Sequence, residues 1–119
     1  MDKSREIMEL CVKAMDDRLA QDIEVLDVSN LTDLGDYFVM ATGNSSTQVR
    51  AIADNVEEEV TKAGFSLHHR EGYKGESWIL LDFSDVIVHV FDKETREFYA
   101  LGHLWEDALA VDITKIIED

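Results

Sequence analysis

The sequence predicts a mixed α/β domain in the order α-β-β-α-β-β-β-α, with helices packed on a β-sheet of about five strands. Two apolar stripes recur at helical spacing, one over Lys3 to Gln21 and one over Val49 to Val60. Between and after them lie short β-prone runs, of which "YFVMAT" and "WILLDFSDVIVHVF" are the strongest. The second run sorts into a hairpin with one wholly apolar face, a pattern that only a pleated pair produces.

The first helix carries Ile7, Leu10, Cys11, Ala14, Met15 and Leu19 on one side. "DIEVLDV" alternates imperfectly and predicts a first strand, and "SNLTDLGD" supplies loop residues after it. Tyr37 to Thr42 predict a second strand covered on both faces. "GNSSTQ" follows, with Ser45 as N-cap and Gln48 three residues on, so the second helix starts here. Its inward stripe is Val49, Ile52, Ala53, Val56 and Val60, and Gly64 stands at its C-terminal cap. "FSLHHRE" predicts a third strand and "GYKGE" a loop. Phe98, Leu101, Leu104 and Trp105 predict one or two short helices, and "ALAVDITKIIED" a weaker amphipathic tail.

The hairpin is the richest element. A two-residue loop at Ser84-Asp85 opposes Asp82 to Ile87 and Leu81 to Val88, and opposed residues share a face. One face is then Ile79, Leu81, Phe83, Val86, Val88 and Val90, with nothing polar. The other is Trp78, Leu80, Asp82, Ile87, His89 and Phe91, with Asp82 and His89 on a diagonal where their side chains approach. Two readings of this second face stand. It is a sheet rim whose polar groups are satisfied by hydrogen bonds, or an aromatic-rich patch with polar anchors, the composition of a binding hot spot.

Charge narrows the partners. Twenty-six acids against eleven bases give a formal net charge of −15, which repels phosphate backbones and anionic lipid. Direct sequence-specific nucleic-acid binding is therefore disfavoured, and on charge alone two readings stand equally, a basic protein partner or acidity that only keeps the protein soluble. No apolar run reaches the roughly 20 residues of a bilayer span, and "MDKSREIMEL" lacks a signal-peptide pattern. A single cysteine, Cys11, fits a reducing compartment, so a cytoplasmic location is expected.

Catalytic and metal chemistry find little support. His68 and His69 are neighbours on a presumed strand and point to opposite faces, His103 lies elsewhere, and no Cys-x-x-Cys is present. No metal or cofactor is expected. "TGNSS" stands between a strand and a helix N-terminus, where backbone N–H groups hold anions. That layout resembles the opening of the nucleotidyltransferase fold, whose enzymes need paired carboxylates on the next strand. Here that strand holds Ser66, Leu67, His68 and His69, so a tight turn with an N-cap is the preferred reading of Gly43 to Ser46.

Three stretches together, "DYFVMATGNSSTQVRAIADNVEE", "EGY…SWILLDFSDVIVHVFD" and "REFYALGHLW", resemble the ribosomal silencing factor family, also called RsfS or Iojap-related. The resemblance runs from about Lys3 to Ala108, which makes residues 1–119 a single domain with a variable tail after about residue 108. It implies a nucleotidyltransferase-like fold that is not used for catalysis. It further implies binding to a large-subunit ribosomal protein, number fourteen in the universal naming, which blocks joining of the small subunit and lowers translation when nutrients are scarce. Organelle relatives act in large-subunit assembly, so an assembly factor is an alternative, as is a nucleotide-binding enzyme. Partner contacts are expected at Trp78, Leu80, Asp82 and His89, with Glu71 from the preceding strand end and an extension through Arg96 and Tyr99. The same mixed face would also serve a homodimer.

Overall fold

The computed structural model describes residues 3–31, 35–73, 75, 77–99 and 109–117. Among the described residues, four helices and six strands follow in chain order: α1 (Lys3–Asp17), β1 (Gln21–Asp27), β2 (Tyr37–Gly43), α2 (Ser46–Lys62), β3 (His69–Tyr73), β4 (Trp78–Asp82), β5 (Val86–Asp92), α3 (Lys93–Tyr99), β6 (Leu109–Ala110) and α4 (Thr114–Ile117). The strands form one mixed sheet in the order β3-β4-β5-β2-β1-β6. β2 and β5 run parallel at its centre, and the other pairings are antiparallel.

The two apolar stripes do what their periodicity predicts. α1 buries Ile7, Met8, Cys11, Val12, Ala14 and Met15, and α2 buries Val49, Ile52, Ala53, Val56 and Val60. Both stripes meet the odd-numbered residues of the central strands (Tyr37, Val39, Ala41; Ile79, Leu81) and the even-numbered ones of β5 (Val86, Val88, Val90) in one apolar core. The wholly apolar hairpin face is therefore the helix-covered face. Where the two helices touch, the buried Asn55 side chain donates to the Ala14 carbonyl at 2.8 Å, satisfying two polar groups inside the core. Burial also pushes the Cys11 thiol up, out of the reactive range, as suits a side chain that fills space.

The start of α2 follows the capping logic with one shift. Ser45 Oγ accepts the Gln48 N–H at 3.2 Å, while the Gln48 carboxamide oxygen accepts from Asn44 rather than from the cap residue itself. The Gln48 amide nitrogen then donates to the Arg18 and Leu19 carbonyls at 3.3 Å each, tying the end of α1 to the start of α2. Gly43 is required at this corner, because a Cβ there would stand 2.9 Å from the Val49 nitrogen.

Four details differ from the sequence expectation. α1 stops at Asp17 rather than at Gln21, because Leu19 takes a left-handed φ of 60° and the Ala20 N–H closes back on the Met15 carbonyl. β3 begins at His69, not Phe65, and continues through Gly72 and Tyr73, which the turn-rich composition assigns to a loop. Phe65 and Leu67 instead pack half-buried against the helix-side core, and antiparallel pairing with β4 sets where the strand lies. A sixth strand, Leu109–Ala110, adds to the edge of β1, and two exposed residues carry no periodic signal. α4 is a single turn at Thr114–Ile117 whose start is capped by Asp112 rather than a longer amphipathic segment. Of the helices expected after Asp92, α3 is present, whereas Leu101, His103, Leu104 and Trp105 lie outside the described residues.

Candidate functional site

The face turned away from α1 and α2 is built by alternation alone. The observed hairpin register pairs Asp82 with Ile87, Leu80 with His89 and Trp78 with Phe91, as the two-residue loop at Ser84-Asp85 requires. β3 extends these rows, placing His69 beside Asp82, Glu71 beside Leu80 and Tyr73 beside Trp78. On the other flank, β2 sets Phe38 next to Ile87, Met40 next to His89 and Thr42 next to Phe91. Glu71, Leu80, His89 and Met40 thus form one continuous cross-strand row, with Trp78 and Asp82 on either side of Leu80.

The face is not bare apolar surface. Leu26, Val28, Phe38, Met40 and Phe91 make a second, smaller core, against which Trp78 and Ile87 pack half-buried. At its centre four rings meet. Phe91 stacks on His89 with centroids 5.8 Å apart and planes within 6°. Phe38 meets His89 edge-on at 5.6 Å, and Trp78 lies 5.2 Å from Phe91 and 5.9 Å from His89. The Trp78 indole N–H donates to His89 Nδ1 at 3.2 Å. His89 is only 6% exposed, and burial lowers its pKa from 6.5 to about 4, so it is neutral at physiological pH. With Nδ1 accepting, the ring proton resides on Nε2.

The expected approach of Asp82 to His89 does not occur. Asp82 Oδ1 accepts the Ser84 N–H at 2.7 Å, holding a turn in which Ser84 has a φ of 77°. A left-handed residue at the first loop position suits the twist of a two-residue hairpin but costs a non-glycine residue free energy, and the Asp82 bond offsets part of that cost. His89 takes Trp78 as its partner instead. Asp82 remains half-exposed, at the corner of the face next to His69.

Arg96 is placed differently from the expectation. Its guanidinium donates to the Asp22 carbonyl at 2.6 Å, to Thr42 Oγ1 at 2.8 Å and to the Glu24 carboxylate at 3.1 Å. These bonds fasten α3 to β1 and β2, so the side chain is a tie within the fold and does not project as an extension of the patch. Tyr99 ends α3, and its side chain lies outside the described residues. Glu71 is exposed, with its carboxylate 3.3 Å from His69 Nε2. Of the seven nominated residues, Trp78, Leu80, Asp82, His89 and Glu71 share one face across β3, β4 and β5.

At the Gly43–Ser46 corner the Asn44 N–H is taken by the Gln48 carboxamide oxygen and the Gln48 N–H by Ser45 Oγ. Among the described residues no cluster of three or more His, Cys, Asp or Glu side chains could hold a metal ion. Among them, too, no helix is long and apolar enough to cross a membrane. What the sequence missed is the second core beneath the face. Its signal was present in the even-numbered residues of β2, Phe38 and Met40, but pairing of β2 with β5 is needed to bring them under His89 and Phe91.

Comparison with known proteins agrees with this architecture. Residues 1–119 match a family model described as "Ribosomal silencing factor during starvation" (RsfS). A ribosomal silencing factor RsfS of Halalkalibacterium halodurans is 36% identical over 114 residues, covering 96% of this chain and 97% of that protein. The Bacillus subtilis protein of the same name is 38% identical over 109 residues, covering 92% of each. A crystal structure of a Chromobacterium violaceum protein superposes with a TM-score of 0.85 at 37% identity, covering 89% of this chain and 88% of that one.

Proposed function

The chain belongs to the ribosomal silencing factor family, and from that premise we propose that it silences by docking on the large ribosomal subunit through the Trp78 face. The partner in this reading is the large-subunit ribosomal protein numbered fourteen in the universal naming. Occupying it keeps the small subunit from joining and lowers translation when nutrients are scarce. The role is regulatory and not enzymatic.

One observation carries the choice of surface. The face opposite α1 and α2 presents half-buried Trp78 and Leu80 beside the acids Glu71 and Asp82, all on neighbouring strands. An aromatic anchor that is already half-desolvated loses little hydration on docking, and flanking carboxylates accept charge-assisted hydrogen bonds from Lys or Arg. The net charge of −15 supports a basic ribosomal protein as the partner and speeds encounter with it. The same charge repels small-subunit RNA, adding electrostatic exclusion to steric exclusion.

Sedimentation of a starved-cell lysate tests the reading. The protein should co-migrate with free large subunits and raise the ratio of free subunits to joined ribosomes. Finding it only in the ribosome-free fractions would sink the proposal. Trp78→Glu should abolish co-migration while the far-UV circular dichroism stays unchanged. An assembly factor would be found instead on immature large-subunit particles, which the same gradients separate by their precursor RNA.

A further inference from the structure

Resting on that docking reading, we propose that His89 is a positioning residue: it does not touch the partner but holds the Trp78 indole in the orientation the partner receives. The geometry makes the two side chains unlike in role. His89 is 6% exposed and lies in the floor of the face, while Trp78 lies half-exposed above the second core. Stacking on Phe91 and edge contact with Phe38 hold the imidazole from two sides. A ring held this way offers Nδ1 as a fixed acceptor, and the indole N–H occupies it at 3.2 Å.

An indole pivots about two side-chain torsions, and the Phe91 contact at 5.2 Å restrains the ring plane without selecting its direction. The hydrogen bond to Nδ1 selects it, because only one edge of the indole carries the donor. Pre-setting the anchor removes part of the ordering cost of binding. The polar group of Trp78 is therefore spent inside the protein, and its apolar edge is what remains for the partner.

Substitutions that keep or remove the acceptor test this. Asparagine carries its Oδ1 where histidine carries Nδ1, so His89→Asn should keep the bond, whereas His89→Leu fills similar space without an acceptor. In ¹⁵N-labelled protein, the Trp78 indole N–H is identified by its loss in Trp78→Phe. It should exchange slowly in wild type and in His89→Asn, and about tenfold faster in His89→Leu, the factor that corresponds to one hydrogen bond. Affinity for purified large subunits should fall about tenfold in His89→Leu and stay within about threefold of wild type in His89→Asn. A folded His89→Leu that binds like wild type overturns the inference. So does loss of binding in His89→Asn while the indole N–H stays protected, since His89 would then touch the partner itself. If Trp78→Phe and Trp78→Ala both bind normally, the docking reading fails instead, and the exchange rates alone still decide whether His89 holds Trp78.

A pH series adds an independent readout. Among the described residues, Asp82 on β4, His69 and Glu71 on β3 and Glu24 on β1 share this face, and Arg96 of α3 is bonded to Glu24. A His89 that touched the partner would make affinity change between pH 6 and 7. In a His69→Gln background, a positioning role for His89 predicts constant affinity from pH 8 to about 5.5. A midpoint near 6.5 that His89→Asn removes would overturn it.

Discussion

The two faces of the sheet come from the same alternating strands yet reach different ends. On the helix-covered face Ile79, Leu81, Val86, Val88 and Val90 are at most 1% exposed. On the opposite face only His89 and Phe91 of the hairpin residues are fully buried, while Trp78, Leu80, Asp82 and Ile87 stay half-exposed. α1 and α2 saturate the first face, leaving nothing over for a partner. The second face is backed by a smaller core that includes Leu26, Val28, Phe38, Met40 and Phe91, and Trp78 keeps part of its surface exposed.

The largest effect should separate neighbours in sequence. Leu81→Ala removes a fully buried side chain from the first face and should cost about 2–5 kcal/mol in chemical denaturation. Leu80→Ala, one residue away on the other face, should cost about 1 kcal/mol, in line with its partial exposure. Equal losses for the two variants would break the distinction between the faces.

Acidification should destabilise the protein through the floor of the second face. The His89 pKa is lowered from 6.5 to about 4. Between those values the unfolded chain binds a proton that the folded protein excludes, so stability falls as pH drops through this window. The contribution is about 3 kcal/mol, complete above pH 6.5 and lost on approaching pH 4. Subtracting the stability curve of His89→Asn from that of wild type isolates it from the many carboxylates. A flat difference would show that His89 is hydrated and the floor open.

Trp78→Glu should cost about 1–3 kcal/mol of stability, because the buried His89 loses its indole donor, and should lower large-subunit affinity by more than about thirtyfold, the effect of losing a hot-spot tryptophan. The smallest change should come from Arg96→Met. It removes the bonds to Asp22, Thr42 and Glu24, costing about 1 kcal/mol, and should speed amide exchange in α3 while large-subunit binding persists. Lost binding with unchanged exchange would return Arg96 to the docking surface.

Much of this was legible residue by residue. The hairpin register followed from sorting six apolar residues onto one side, since a slip by one position would bury Asp82 and expose Leu81. The start of α2 followed from Ser45 and Gln48, whose chemistry is local. Less legible were the elements that local chemistry does not define. β3 lies where β4 provides a partner, not where "FSLHHRE" looks most strand-like. Arg96 bonds a carbonyl 74 residues away, and no spacing rule reaches that far. Asp82 and His89 were on one face as read, but each had a nearer and better-aimed partner than the other.

By itself the sequence determined what alternation, helical periodicity and capping determine: which residues face inward on each element, and the resemblance of the whole to one family. Those properties depend on neighbours within a few positions and survive without knowledge of the fold. Tertiary structure alone decided the rest: a second core under the Trp78 face, the neutral His89 inside it, and the commitment of Arg96 to β1 and β2. Each of these depends on β2 lying parallel beside β5, which brings Phe38 and Met40 against Ile87 and His89. Burial and hydrogen-bond partners are set by that juxtaposition, so the histidine that looks like a surface group in sequence lies buried in space, accepting the Trp78 indole N–H.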